Sequence, residues 1–136
     1  MKVLSVDYGD VRTGVAMSDA RGILASPYCV VTQSYQPKLV DELVKIANEN
    51  NVAKIVIGLP RNMDGSYGYR CDECKSLGEA LKEKINVEIV FEDERLTTVM
   101  AHNILSDNNV RGKKRKNTVD AVSAVMILQS YLDKNK

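Results

Sequence analysis

Tryptophan is absent from this 136-residue chain and phenylalanine occurs once. Six tyrosines therefore supply almost all the aromatic surface. Any stacking of bases must use tyrosine, and Tyr8, Tyr67 and Tyr69 fall in or near expected loops. Histidine occurs once, at His102, so no histidine-rich metal site can be built. Cysteine occurs three times, at Cys29, Cys71 and Cys74, and an odd count argues against a disulfide framework. Cys71 and Cys74 form C-x-x-C, but a structural zinc site wants four ligands. Only Cys29 and His102 remain to complete one, and neither has finger-like spacing, so the thiols read as reduced bystanders. Long apolar runs are also missing. The longest stretches, such as Ala124 to Leu128, fall far short of the ~20 residues a membrane span needs. The opening Met1-Lys2-Val3-Leu4-Ser5-Val6-Asp7 reads as a strand and lacks the apolar centre of a signal peptide. The formal charge is only +1, so no whole-molecule field selects a partner.

What is present suits one ordinary core. With 44% hydrophobic and 27% charged residues, the chain reads as a single domain over 1–136. Residues 2–7 and 13–18 predict two strands joined by a short turn, and a third lies within 23–32, interrupted near Pro27. These three form an antiparallel meander. Leu39, Val40, Leu43, Val44, Ile46 and Ala47 then recur at helical spacing, with Pro37 in the first turn. A buried strand follows at 54–57, a helix at 69–84 with Gly78 in its interior, and a fifth strand at 87–91. Helices are predicted over 98–105 and 118–133. The order βββαβαβαα gives an α/β fold with a mixed five-stranded sheet and helices on its faces.

Three acids fall at unusual places. Asp7 ends the first strand, Glu94 follows the fifth, and Asp120 opens an otherwise apolar stretch of the last helix. Each has an ordinary explanation: a turn cap, a surface ion pair, an acid favoured by the helix dipole. Together they suit a fold whose strand ends and helix start converge. Hard divalent cations need such oxygen clusters, and two of them ~4 Å apart can activate water against a phosphodiester. Just before Asp120, Arg111-Gly112-Lys113-Lys114-Arg115-Lys116 places five positive charges in six residues, read here as a solvated loop. Such a segment can hold a phosphate backbone, with Arg12 and Arg61 as further candidates.

Four stretches in order resemble one known family. They are Val6-Asp7-Tyr8-Gly9 with Thr13-Gly14-Val15-Ala16; Gly58-Leu59-Pro60-Arg61-Asn62-Met63-Asp64-Gly65; Asp93-Glu94-Arg95-Leu96-Thr97-Thr98; and Asp120 with Ala124 to Leu132. The chain resembles the YqgF family of Holliday-junction-resolvase-like, pre-16S rRNA nucleases. The resemblance implies an RNase H-like fold and a bacterial cytoplasmic nuclease using Mg²⁺ or Mn²⁺, as a two-metal centre. It gives Asp7, Glu94 and Asp120 the metal-binding and catalytic roles. It also implies processing of the 5′ end of 16S rRNA, with pre-rRNA and the small ribosomal subunit as partners. Branched DNA is the alternative substrate, for which a dimer is expected because two symmetric cuts suit two-fold symmetry; the sequence leaves monomer or homodimer open. A non-catalytic RNA-binding assembly factor would need the basic segment but not the acids. A nucleotide-binding reading also exists, because Asp7-x-Gly9 and Gly14 resemble the phosphate loop of the sugar-kinase and actin superfamily. Met100 stands where many family members have glutamate, which removes a capping box rather than a site residue.

Overall fold

The computed structural model describes residues 2–9, 11–59, 69–93 and 112–134, with residues 69, 70, 93 and 112–121 described by their backbone. In chain order these form β1 (Val3–Asp7), β2 (Arg12–Ser18), β3 (Ala25–Thr32), α1 (Gln36–Asn50), β4 (Lys54–Leu59), α2 (Tyr69–Lys84), β5 (Glu88–Asp93) and α3 (Gly112–Lys134). The strands make one sheet in the order β3-β2-β1-β4-β5. β1 pairs antiparallel with β2 and parallel with β4, and β4 pairs parallel with β5. The expected mixed sheet is present, with the expected meander leading into strand-helix-strand units. The predicted helix over 98–105 lies outside the described residues.

Alternation along β1 divides the molecule. Leu4 and Val6 point into a large aliphatic core with Val15, Leu39, Leu43, Ile55, Ile57, Leu77 and Leu81, under α1 and α2. Val3 points the other way, into a smaller cluster with Ala16, Val56, Ala124, Ile127, Leu128 and Tyr131, under α3. Period-2 alternation places Ser5 and Asp7 on Val3's side.

Local irregularities have local causes. β3 is an edge strand, which tolerates Pro27 because its missing N–H is not needed inward. The β2–β3 register shifts at Val15/Ala16, where Cys29 pairs with Val15 and Pro27 with Ala16, leaving Tyr28 as the extra residue of a bulge. Gly78 sits mid-helix at a close approach. A Cβ there would lie 2.7 Å from Cζ of Phe91, so glycine is what lets α2 lie against β5. Cys71 and Cys74 are both buried and share the inward face of α2 with Leu77 and Leu81. No disulfide involves any of the three cysteines. The thiols therefore act as small hydrophobic side chains.

One expectation needs correction. The basic segment read as a loop is helical from Gly112, so Lys113, Lys114, Arg115 and Lys116 form the first turns of α3 rather than a loop before a helix at 118. Lysine and arginine are good helix formers, and a run of them without proline propagates a helix despite its charge. No described helix is long and apolar enough to cross a membrane.

Candidate active site at the carboxyl edge of the sheet

β1, β4 and β5 are parallel, so their carboxyl ends at Asp7, Leu59 and Asp93 share one edge of the sheet. β3 runs with them, because β2 reverses direction twice across its two pairings. The end of β3, the start of β2 at Arg12 and the amino end of α1 therefore stand at this edge too. Open α/β sheets bind ligands outside the carboxyl ends of their strands.

Asp7 is the last residue of β1 and is half-buried. It lies opposite Gly14 on β2. The turn beyond it depends on Gly9: a Cβ at this position would lie 2.0 Å from the Arg12 carbonyl oxygen. The Gly9 N–H also donates to Thr13 Oγ1 at 3.4 Å, which closes the turn from inside. Only glycine permits a hairpin this tight here, and the tightness ends β1 at the carboxylate.

The other acids are placed as follows. Ser5 Oγ, two residues before Asp7, donates to the Ala124 carbonyl at 2.7 Å in a fully buried bond. This bond pins the Asp7 face of β1 to α3. Asp120 lies one helical turn before Ala124, on the described backbone of α3. One strand pleat and one helical turn thus separate Asp7 and Asp120 from a shared anchor. Glu94 follows the last residue of β5 and lies outside the described residues, as do Arg61 and Arg111. Among the described residues, no three His, Cys, Asp or Glu side chains group to hold a cation. Arg12 is half-buried at the start of β2. Lys113 to Lys116 are at the amino end of α3, where the helix dipole adds to their positive potential.

Three features of this edge were not legible as site features in the sequence. Glu92, which the sequence does not single out, is only 6% exposed and its Oε1 pairs with Lys134 Nζ at 2.5 Å. This ties the end of β5 to the end of α3. Gln36 donates from Nε2 to the Tyr8 hydroxyl at 3.4 Å and accepts from Ser76 Oγ at 3.5 Å, linking β1, α1 and α2. Tyr8, a stacking candidate, also packs against the aliphatic core, so its ring is partly used by the fold. Tyr67 lies outside the described residues and Tyr69 is described by backbone alone. Tyr35, which carried no signal in the sequence beyond its type, is 60% exposed at this edge. The half-buried Cys29 has its thiol pKa raised, by burial first and by the nearby Glu42 second, which keeps it protonated.

Comparison with known proteins gives the family and the fold. Residues 1–134 match a family model described as RuvX, Holliday junction resolvase. A Clostridium botulinum protein named "Putative pre-16S rRNA nuclease" is 40% identical over 134 residues, covering 98% of each chain. A Thermoanaerobacter pseudethanolicus protein of the same name is 38% identical over 137 residues, covering 100% of this chain and 99% of its own. Among solved structures, Thermus thermophilus RuvC in complex with Holliday junction substrate superposes with a TM-score of 0.63 at 11% identity, over 100% of this chain and 97% of that one. The Fowlpox virus resolvase with Holliday junction DNA gives 0.62 at 10% identity, over 99% of each. These two likenesses are of fold, the RNase H-like fold. With full-length matches in sequence and a carboxylate ending the central strand, the chain belongs to the RuvX family, the family of the YqgF resemblance, and is a phosphodiester-cleaving hydrolase.

Proposed function

We propose that this nuclease depends on a divalent metal and processes the 5′ end of precursor 16S rRNA. The observation that carries the reading is Asp7, fixed by the Gly9 turn at the carboxyl end of the central strand, in a chain matched end to end by relatives named for pre-16S rRNA. Asp7, Glu94 and Asp120 would hold the cation. Their donor set is carboxylate oxygen alone, which suits Mg²⁺ or Mn²⁺, while the two thiols of C-x-x-C are buried in the opposite core. A pair of such ions, when bound, would lower the pKa of a water and stabilise the leaving oxygen. Arg12, Arg61, Arg111, Lys113, Lys114, Arg115 and Lys116 would neutralise backbone phosphates, giving affinity that falls with salt. The working unit is the single domain over 1–136, a cytoplasmic monomer or homodimer that meets its RNA on the small ribosomal subunit.

The test is cleavage of labelled RNA spanning the 5′ end of 16S rRNA by the wild type and Asp7→Asn, with Mn²⁺, Mg²⁺ or EDTA. Cleavage should require metal and fall at least ~10²-fold in Asp7→Asn, the scale of losing one preorganised electrostatic group. Unchanged cleavage by Asp7→Asn would sink the mechanism. A four-way DNA junction run in parallel tests the second reading, which the family description favours. Symmetric cutting of the junction alone, by a dimer, would move the assignment to junction resolution. RNA bound but never cut, with or without Asp120→Asn, would make the chain a non-catalytic assembly factor.

A further inference from the structure

Among the described residues, two large apolar side chains are left in solvent at the carboxyl edge: Val11 is 51% and Tyr35 60% exposed. Both lie on backbone that is held in place. The Gln33 N–H donates to the Val11 carbonyl at 2.8 Å, joining the segment that carries Tyr35 to the hairpin that follows Asp7. The Tyr35 N–H donates to Gln33 Oε1 at 3.1 Å, and its carbonyl accepts the Leu39 N–H at 3.1 Å. Tyr35 is thus the residue that opens α1, with its backbone bonded on both sides and its ring outside the core.

Two cationic residues lie near Tyr35 along the backbone. Arg12 pairs with Thr32 three residues before Tyr35, and the exposed Lys38 lies in the first turn of α1. That first turn contains no acid, and no side chain caps it. A flat aromatic face with cationic residues near it in the fold suits a π-face joined to an anion. An unpaired nucleobase with its phosphate has that chemistry. An acidic peptide need not join a π-face to each anion as a nucleotide does, and an apolar protein surface gains nothing from the cations. The position also fits: β1 and β3 are two strand spacings apart, about 10 Å, or about three stacked nucleotides.

We infer that Tyr35 is a stacking platform for one unpaired nucleobase of the substrate, within a few nucleotides of the phosphate above Asp7. Arg12 and Lys38 hold the adjoining phosphate. The inference rests on the nuclease reading above and adds the residue that fixes the substrate's register on the edge.

The experiment is a cycle between the protein and single missing bases. Binding is read by fluorescence anisotropy in the Asp7→Asn background, for Tyr35, Tyr35→Ala and Tyr35→Trp. The probes are the 5′-end RNA and the four-way DNA junction, each intact or with one abasic nucleotide placed in turn near the cut. Tyr35→Ala should weaken binding of the intact probe by ~5- to 100-fold. Tyr35→Trp should restore it. At one position the abasic probe should lose as much with Tyr35, and nothing further with Tyr35→Ala. In the cleavage-competent protein, Tyr35→Ala should raise KM more than it lowers kcat. Whichever nucleic acid shows the non-additive position is the one that supplies the base. Equal binding by Tyr35→Ala, losses that add at every position, or no restoration by tryptophan would overturn the inference. The anisotropy cycle needs no catalysis, so failure of cleavage alone would strike the nuclease reading and leave the stacking result standing. A thermal melt of Tyr35→Ala close to wild type excludes unfolding as the cause, as expected for so exposed a side chain.

Discussion

The two faces of the sheet are built differently. Under α1 and α2 the contact is a continuous aliphatic core, from Leu4 and Val6 through Leu39 and Leu43 to Leu77 and Leu81. Among the described residues the apolar cluster under α3 is smaller, and it is pinned by directional bonds. Ser5 holds the Ala124 carbonyl, Gln129 bonds both the Ala25 N–H and the Ile23 carbonyl, and Lys54 Nζ donates to the Tyr131 hydroxyl at 2.6 Å. Burial of apolar area is non-directional and tolerates small shifts of one element over another. Hydrogen bonds with fixed partners do not. The first face supplies stability, and the second sets where α3, with Asp120 and its basic first turns, lies against the Asp7 side of β1.

That division can be broken from either side. The largest effect should come from Leu43→Ala, which opens a cavity in the aliphatic face at a cost of about 2–5 kcal/mol. Urea titration should show the loss, while cleavage per folded molecule stays near wild type. Ser5→Ala should cost less stability, about 1 kcal/mol for a net hydrogen bond, yet reduce cleavage more than Leu43→Ala does. Equal or reversed effects on activity would mean that the polar pins have no part in placing the acids. The smallest effect concerns the turn opposite the active edge. Asp19 accepts hydrogen bonds from the Ile23 and Leu24 N–H groups. The Ile23 bond above all holds its carboxyl pKa below the ordinary 3.8. A lowered pKa means that the folded state favours the ionised form, so its contribution is complete above pH 3.8 and fades as pH falls through the lower folded value. In Asp19→Asn the acid limb of the stability curve should flatten slightly. An unchanged limb would show that the exposed turn carries none of the acid sensitivity.

Much of this was legible in local pattern. The inward stripe of α1 was read correctly at Leu39, Val40, Leu43 and Ala47. The meander, the parallel strands after it and the burial of β4 followed from alternation and short apolar runs. The start of α3 was not legible, because a charge run without apolar periodicity looks the same in a loop as in a solvated helix. Gly78 stands in the interior of the predicted helix without a local reason, and its reason, the Phe91 ring, lies on another element.

By itself, then, the sequence determined the order of the described elements, their apolar sides, the glycine turn that ends β1 at Asp7, and membership of the family. Periodicity reports which side of a segment avoids water, and tight turns declare their glycines locally. Only the tertiary structure decided what each side meets. The Ser5–Ala124 bond joins residues 119 apart. The burial of Glu92 beneath Lys134 and the exposure of Tyr35 likewise depend on which segments pack nearby. Such pairings are set by the packing of distant segments, and a local pattern contains no term for them.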